Sequence, residues 1–142
     1  MATEHTVQPP SRIDHLAIAV RSLEEGSRFY REVLGLECAG REEIPDQKVR
    51  VAFFMVGEVR LELLEPTADD SPIAKFLGKR GPGLHHVAYR VANVPETLAA
   101  LKSAGVRLID EAPCDGAHGM KIAFAHPEST GGVLIEFCQP AE

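Results

Sequence analysis

From residue 12 onward, short apolar runs alternate with turn-forming residues. Arg12-Ile-Asp-His-Leu-Ala-Ile-Ala-Val20 reads as a strand. Ser22-Leu-Glu-Glu25 is a capping box, so a helix follows, with Phe29 and Val33 on a shared face and Gly35 as its stop. Strand-like runs come next at 36–39, 49–56 and 59–64, the last two joined by a tight turn at Gly57-Glu58. The order then repeats. Residues 84–91 read as a strand, and Asn93 caps a helix with Pro95 and Glu96 in its first turn, Leu98 and Leu101 on its buried face and Gly105 as its stop. Residues 106–109, 121–125 and 133–138 are the next strands, with loops rich in Gly, Pro and Asp at 111–119 and 126–132. Between the halves, Ser71-Pro-Ile-Ala-Lys-Phe-Leu-Gly78 reads as a short helix with Ser71 as N-cap and Pro72 in the first position. Residues 1–11, polar and holding Pro9-Pro10, read as a flexible tail. Each half is thus β-α-β-β-β. The expected fold class is α+β: one domain over 12–142, built of two tandem modules at about 12–66 and 83–139, with the linking helix at about 71–78, closing into a shared sheet.

Laying one half on the other aligns chemistry as well as elements. Asp14-His15 falls on His85-His86, and Leu61-Glu62-Leu63 falls on Ile135-Glu136-Phe137, at a near-constant offset of about 70 residues. Each half therefore offers a His on its first strand and a Glu on its last. Strand parity fixes the faces. His15, Ala17 and Ala19 share one face and Leu16, Ile18 and Val20 the other, so the bulky face packs on helices and the small one lines a cleft. In the second half His86, Ala88 and Arg90 lie together, which makes His86 the cleft residue and turns His85 away. A single strand histidine is more often a packed or surface residue than a ligand, and a single strand glutamate more often faces water. Four at matched repeat positions favour a divalent transition-metal site, because imidazole nitrogen and carboxylate oxygen together suit such an ion. His118 and His126, in Gly- or Pro-flanked loops, read as solvated surface, with substrate contact the lesser alternative.

Composition narrows the rest. Apolar residues at 44% and charged residues at 25% of 142 exclude a wholly disordered chain. No apolar run reaches the ~18 residues of a membrane span. The net charge of −6 gives no basic field for nucleic acid. Cys38, Cys114 and Cys138 have neither CxxC nor metal-ligand spacing and read as reduced thiols. No export or organelle address is visible, so the cytoplasm is the expected compartment. No Ser or Cys nucleophile has a base at suggestive spacing. Gly116-Ala-His-Gly119 lacks the Lys-Ser/Thr ending of a P-loop, though its backbone N–H groups could face a carboxylate or phosphate.

Six stretches carry a resemblance: Asp14-His-Leu-Ala-Ile-Ala-Val20, Pro45-Asp-Gln-Lys-Val-Arg-Val-Ala-Phe53, Leu61-Glu-Leu-Leu-Glu-Pro66, Ser71 through Leu77, Gly83-Leu-His-His-Val-Ala88, and Gly116-Ala-His-Gly119 through Glu136. On these the chain resembles the vicinal-oxygen-chelate (glyoxalase-like) superfamily and, within it, the family of epimerases acting on methylmalonyl-CoA. The resemblance implies a curved, open barrel-like sheet around a metal site, with His15, Glu62, His86 and Glu136 as ligands of one divalent ion per chain. Cobalt is the ion it favours, and the His₂Glu₂ set also accepts Zn, Ni or Mn. The implied activity is interconversion of (R)- and (S)-methylmalonyl-CoA by α-proton abstraction through a metal-stabilised enolate. The implied partners are a CoA thioester and a second copy of the chain in a homodimer, with no nucleic acid and no membrane. Some epimerases of this family carry a Glu base where this chain has Val51, which cannot accept a proton, and some carry Gln where Glu62 stands. The two catalytic bases are therefore assigned to Glu62 and Glu136. A metal-bound carboxylate is a weaker base, so each would have to loosen from the ion during turnover. A glyoxalase I acting on a glutathione hemithioacetal, and a non-catalytic binding or resistance module, remain the alternatives on such a fold. Lys48, Arg50, Lys75, Lys79 and Arg80 are the basic candidates for holding the CoA nucleotide.

Overall fold

A computed structural model describes residues 7–141. Of the expected flexible tail, residues 1–6 lie outside the described residues, and 7–11 carry neither helix nor strand. The chain divides into two compact units, one of residues 15–85 and one of residues 86–141 with the described residues up to Asp14. The elements in order are β1 (Arg12–Ala19), α1 (Leu23–Arg28), β2 (Cys38–Ile44), β3 (Val49–Val56), β4 (Val59–Pro66), α2 (Pro72–Arg80), β5 (Gly83–Arg90), α3 (Val94–Ser103), β6 (Cys114–Asp115), β7 (Lys121–Ala125) and β8 (Ile135–Gln139). The class is α+β, and each module has the β-α-β-β-β order that the alternation predicts.

In the first unit the strands lie in the order β2-β3-β4-β1. β1 runs parallel to β4, with His15 beside Arg60 and Ala17 beside Glu62, while β4 is antiparallel to β3, with Phe53 opposite Glu62. The β3–β4 turn falls on Gly57-Glu58, and Gly57 adopts φ +60, where a side chain would be strained. Ser22 Oγ accepts from Glu25 N and starts α1. The aliphatic face of β1 packs as its parity requires: Ile18 and Val20 join Leu23, Ala52, Phe54 and Leu63 in one core cluster. α1 crosses this face closely, because a Cβ on Gly26 would stand 2.8 Å from Val20 Cγ1.

The second unit repeats the plan as β5-β8-β7-β6. β5 is parallel to β8, with Ala88 beside Glu136, and β8 is antiparallel to β7, with Phe124 opposite Glu136. Asn93 Oδ1 accepts from Glu96 N at the start of α3. Val94 and Leu98 of α3 pack with Val91, Ala123, Ala125 and Phe137.

Three elements differ from the expected ones, each for a local reason. The helix expected from Ser22 toward Gly35 is α-helical only over Leu23–Arg28. It widens after Arg28 into a π-turn over Phe29–Val33, closed by Leu34 N donating to Phe29 O, and both side chains are exposed while Leu23, Ser27 and Tyr30 face inward. Residues 106–109 do not form a strand. Asp110 takes Phe124 N with its side chain, Ile109 N and Asp110 N share Phe124 O, and only Leu108 bridges to Ala125. Pro113, which has no N–H, then delays the edge strand to Cys114–Asp115, inside the expected loop. The second strand of the first module runs over Cys38–Ile44 rather than 36–39, and it is a mostly exposed edge.

One buried ion pair ties the ends of the second unit together. Asp14 has no solvent exposure, and Arg90 donates to its Oδ1 from Nε at 3.0 Å and from Nη2 at 2.6 Å. Deleting one partner of such a pair leaves an uncompensated buried charge. Arg90→Met is therefore expected to destabilise the fold by about 3 kcal/mol, read as a lower urea midpoint with an unchanged slope. Asp14→Leu combined with Arg90→Met should recover most of the loss.

Candidate metal centre

The first unit brings His15 and Glu62 together. β1 and β4 run parallel with Ala17 beside Glu62, so the imidazole two residues earlier lies diagonal to the carboxylate on the same sheet face. His15 Nδ1 stands 3.4 Å from Glu62 Oε2, and both side chains are about 95% buried. The second unit does the same with His86 and Glu136: Nε2 to Oε1 is 3.2 Å, with equal burial. The water-facing alternative for the two glutamates is excluded. Phe124 meets the edge of the His86 ring at 5.1 Å and holds it in place. His85, as parity requires, turns from this face and packs on Phe76 of α2 at 5.0 Å.

Each separation is that of two donors to one cation. Bonds of about 2.0–2.2 Å to nitrogen and oxygen put neighbouring donors of a tetrahedral or octahedral ion about 3.0–3.5 Å apart. Each His–Glu pair, taken by itself, therefore has the donor spacing of one edge of a coordination polyhedron. The donor set, imidazole plus carboxylate in both modules, suits a divalent transition ion.

The repeat comparison does not single out two groups near the pairs, Arg60 and Cys138. Arg60 lies on β4 beside His15, and its Nε and Nη2 donate to Glu62 Oε2 at 3.0 and 2.9 Å. Its guanidinium carbon sits 5.7 Å from the centre of the Phe53 ring. Strand alternation alone puts Arg60 on the face of Glu62, and that was the available signal. In the second unit, Cys138 stands two residues after Glu136 on β8, with its thiol toward Tyr89 O. Burial first, then the charges of Asp14 and Glu136, push this thiol well above the ordinary cysteine range, so it stays protonated.

Val51 is fully buried on β3 opposite Leu64 and offers no proton acceptor. His118 is exposed in a left-handed conformation at φ +58, and His126 Nδ1 accepts from Glu128 N at a turn. Among the basic candidates for the nucleotide, Lys48 pairs with Asp70, Arg50 with Glu65 and Glu43, and Arg80 lies over Phe76. Lys75 and Lys79 stand exposed on α2.

Two modules of this plan, each with a His on its first strand and a Glu on its last, define a class. The chain belongs to the Glyoxalase/Bleomycin resistance protein/Dioxygenase superfamily, whose sequence pattern matches residues 14–124. Members of this superfamily commonly bind a divalent metal. The mitochondrial methylmalonyl-CoA epimerase of Bos taurus is 41% identical over 129 residues, which cover 90% of this chain and 74% of that one. The methylmalonyl-CoA epimerase of Mycobacterium tuberculosis superposes with a TM-score of 0.89 at 38% identity, over 94% of this chain and 90% of that one. A variant of the Streptomyces coelicolor methylmalonyl-CoA epimerase, solved with 2-nitronate-propionyl-CoA, gives a TM-score of 0.90 at 37% identity, over 94% of this chain and 96% of that one. These relationships place the chain among the methylmalonyl-CoA epimerases, a family of isomerases.

Proposed function

We propose that this chain interconverts (R)- and (S)-methylmalonyl-CoA with one divalent ion held by His15, Glu62, His86 and Glu136. The observation that carries this reading is the buried His–Glu pair found once in each module, with donor atoms at the spacing of metal ligands. The substrate follows from the family, in which one relative is solved with a propionyl-CoA derivative. Cobalt as the ion and a homodimer as the assembly follow from the resemblance alone. The cytoplasm is the proposed compartment; among the described residues no helix is long and apolar enough to cross a membrane.

The reaction removes a proton from a carbon between a thioester and a carboxylate and returns it to the opposite face. The ion supplies Lewis-acid stabilisation of the negative charge that develops on oxygen, an effect of several kcal/mol. His15 and His86 would hold it through ring nitrogens. Glu62 and Glu136 would help to hold the ion, and their carboxylates would take and return the α-proton. Glu62 serves one face and Glu136 the other, since each module contributes one such group. Val51, fully buried opposite Leu64, leaves its position without a base.

The same ligand set would serve a glyoxalase I, so the substrate is the discriminating test. The metal-loaded protein is expected to turn over methylmalonyl-CoA and to leave the glutathione hemithioacetal of methylglyoxal nearly untouched. Faster turnover of the hemithioacetal would replace the epimerase reading with the glyoxalase one.

A further inference from the structure

Arg60 breaks the symmetry between the modules. The repeat offset that carries Glu62 onto Glu136 carries Arg60 onto Leu134, so the repeat has no counterpart of Arg60 in the second module. The guanidinium reaches both members of that pair at once. Nη2 stands 2.9 Å from Glu62 Oε2 and 3.4 Å from His15 Nδ1, and these two atoms are themselves 3.4 Å apart. They are the donor atoms that would turn to a metal. A nitrogen within reach of both, and carrying positive charge, meets the same electrostatic demand as the ion. The side chain is packed enough to be held there, at 15% exposure, with its guanidinium against the Phe53 ring.

We propose that Arg60 is a placeholder cation: it binds Glu62 and His15 in the metal-free protein and must give up both when a divalent ion takes them. This rests on the metal-site reading above and adds a competition to it. Two positive centres cannot share one carboxylate oxygen and one imidazole nitrogen at contact distance without strong repulsion. Metal loading in the first module is therefore an exchange of one cation for another. Leu134 stands at the matching position of the second module, so this exchange belongs to the first pair. In the metal-free protein Arg60 also keeps a buried carboxylate compensated, which stabilises that state. Arg60 acts as a positioning residue toward the ligands, and no proton transfer is assigned to it.

The proposal predicts opposite signs for two readouts. Arg60→Met keeps the aliphatic stem over Phe53 and removes the charge. In titration calorimetry with Co²⁺ alone, this variant should bind the ion about tenfold more tightly than the wild type, the value of a charged hydrogen bond no longer given up. Its metal-free form should melt several degrees lower than the metal-free wild type, while the two loaded forms melt together. Arg60→Lys, which keeps a cation, should stay close to the wild type in both. Weaker Co²⁺ binding by Arg60→Met would show that Arg60 props the ligand rather than competes for it and would overturn the proposal. Unchanged binding together with an unchanged metal-free melting point would overturn it as well. Wild-type protein that binds no Co²⁺ would instead overturn the metal-site reading, which separates the two failures.

Discussion

Glu62→Gln and Glu136→Gln each lower net epimerisation by at least the ~10²-fold that removal of a general base costs, yet each leaves proton exchange at one enantiomer. The asymmetry follows from two bases on two faces. Glutamine retains a carbonyl oxygen for the ion but cannot accept a proton at neutral pH. The variant therefore keeps more of its metal than an alanine variant does and loses chemistry on one face only. Deuterium exchange measured separately on (R)- and (S)-methylmalonyl-CoA should survive for one of them in Glu62→Gln and for the other in Glu136→Gln. Metal content, followed in parallel, guards against reading a lost ion as a lost base. A variant that keeps near-normal epimerisation with metal bound assigns its glutamate to ligation alone. The next groups to test are then a water held by Gln47, in the turn before β3, and His118, at an exposed turn.

The second large effect concerns the ion. Wild-type protein is expected to hold about one divalent ion per chain, and His15→Ala or His86→Ala to hold almost none. Loss of a direct ligand should exceed the ~10–100-fold drop typical of losing an outer-shell partner. His85 is the internal control. It neighbours His86 in sequence but packs on Phe76, so His85→Ala should keep the ion while losing an aromatic contact. Elemental analysis of the three purified variants is the measurement. Equal metal in His15→Ala, His86→Ala and wild type would remove both histidines from the site.

The legible parts of the fold are those written in short-range chemistry. Ser22, Ser71 and Asn93 each cap a helix with a side chain that reaches only two or three residues along. The His–Glu pairs were visible because alternation along a strand is strict, so one buried position fixes the whole face. What escaped depends on register between distant segments. Nothing in the run around Arg60 says that His15 is its neighbour across β1 and β4. Nor does the run around Asp14 point to Arg90, its ion-pair partner 76 positions away. β2 was read short because Arg41-Glu42-Glu43 shows no apolar face, as expected of an edge strand that guards itself with charge. The strand expected over 106–109 had the right residues, but Asp110 substitutes its carboxylate for the ladder.

The central claim is that a bound divalent ion and this chain together labilise the α-proton of a CoA-linked malonyl group. Proton NMR of methylmalonyl-CoA in deuterated water tests it in one tube. With metal-loaded protein the methyl doublet should collapse to a singlet as the α-proton exchanges. After chelation, with the ion's removal confirmed, the doublet should persist. Restoring Co²⁺ should restore the collapse. Exchange that continues unchanged in verified metal-free protein, or no exchange with the loaded one, would contradict the account.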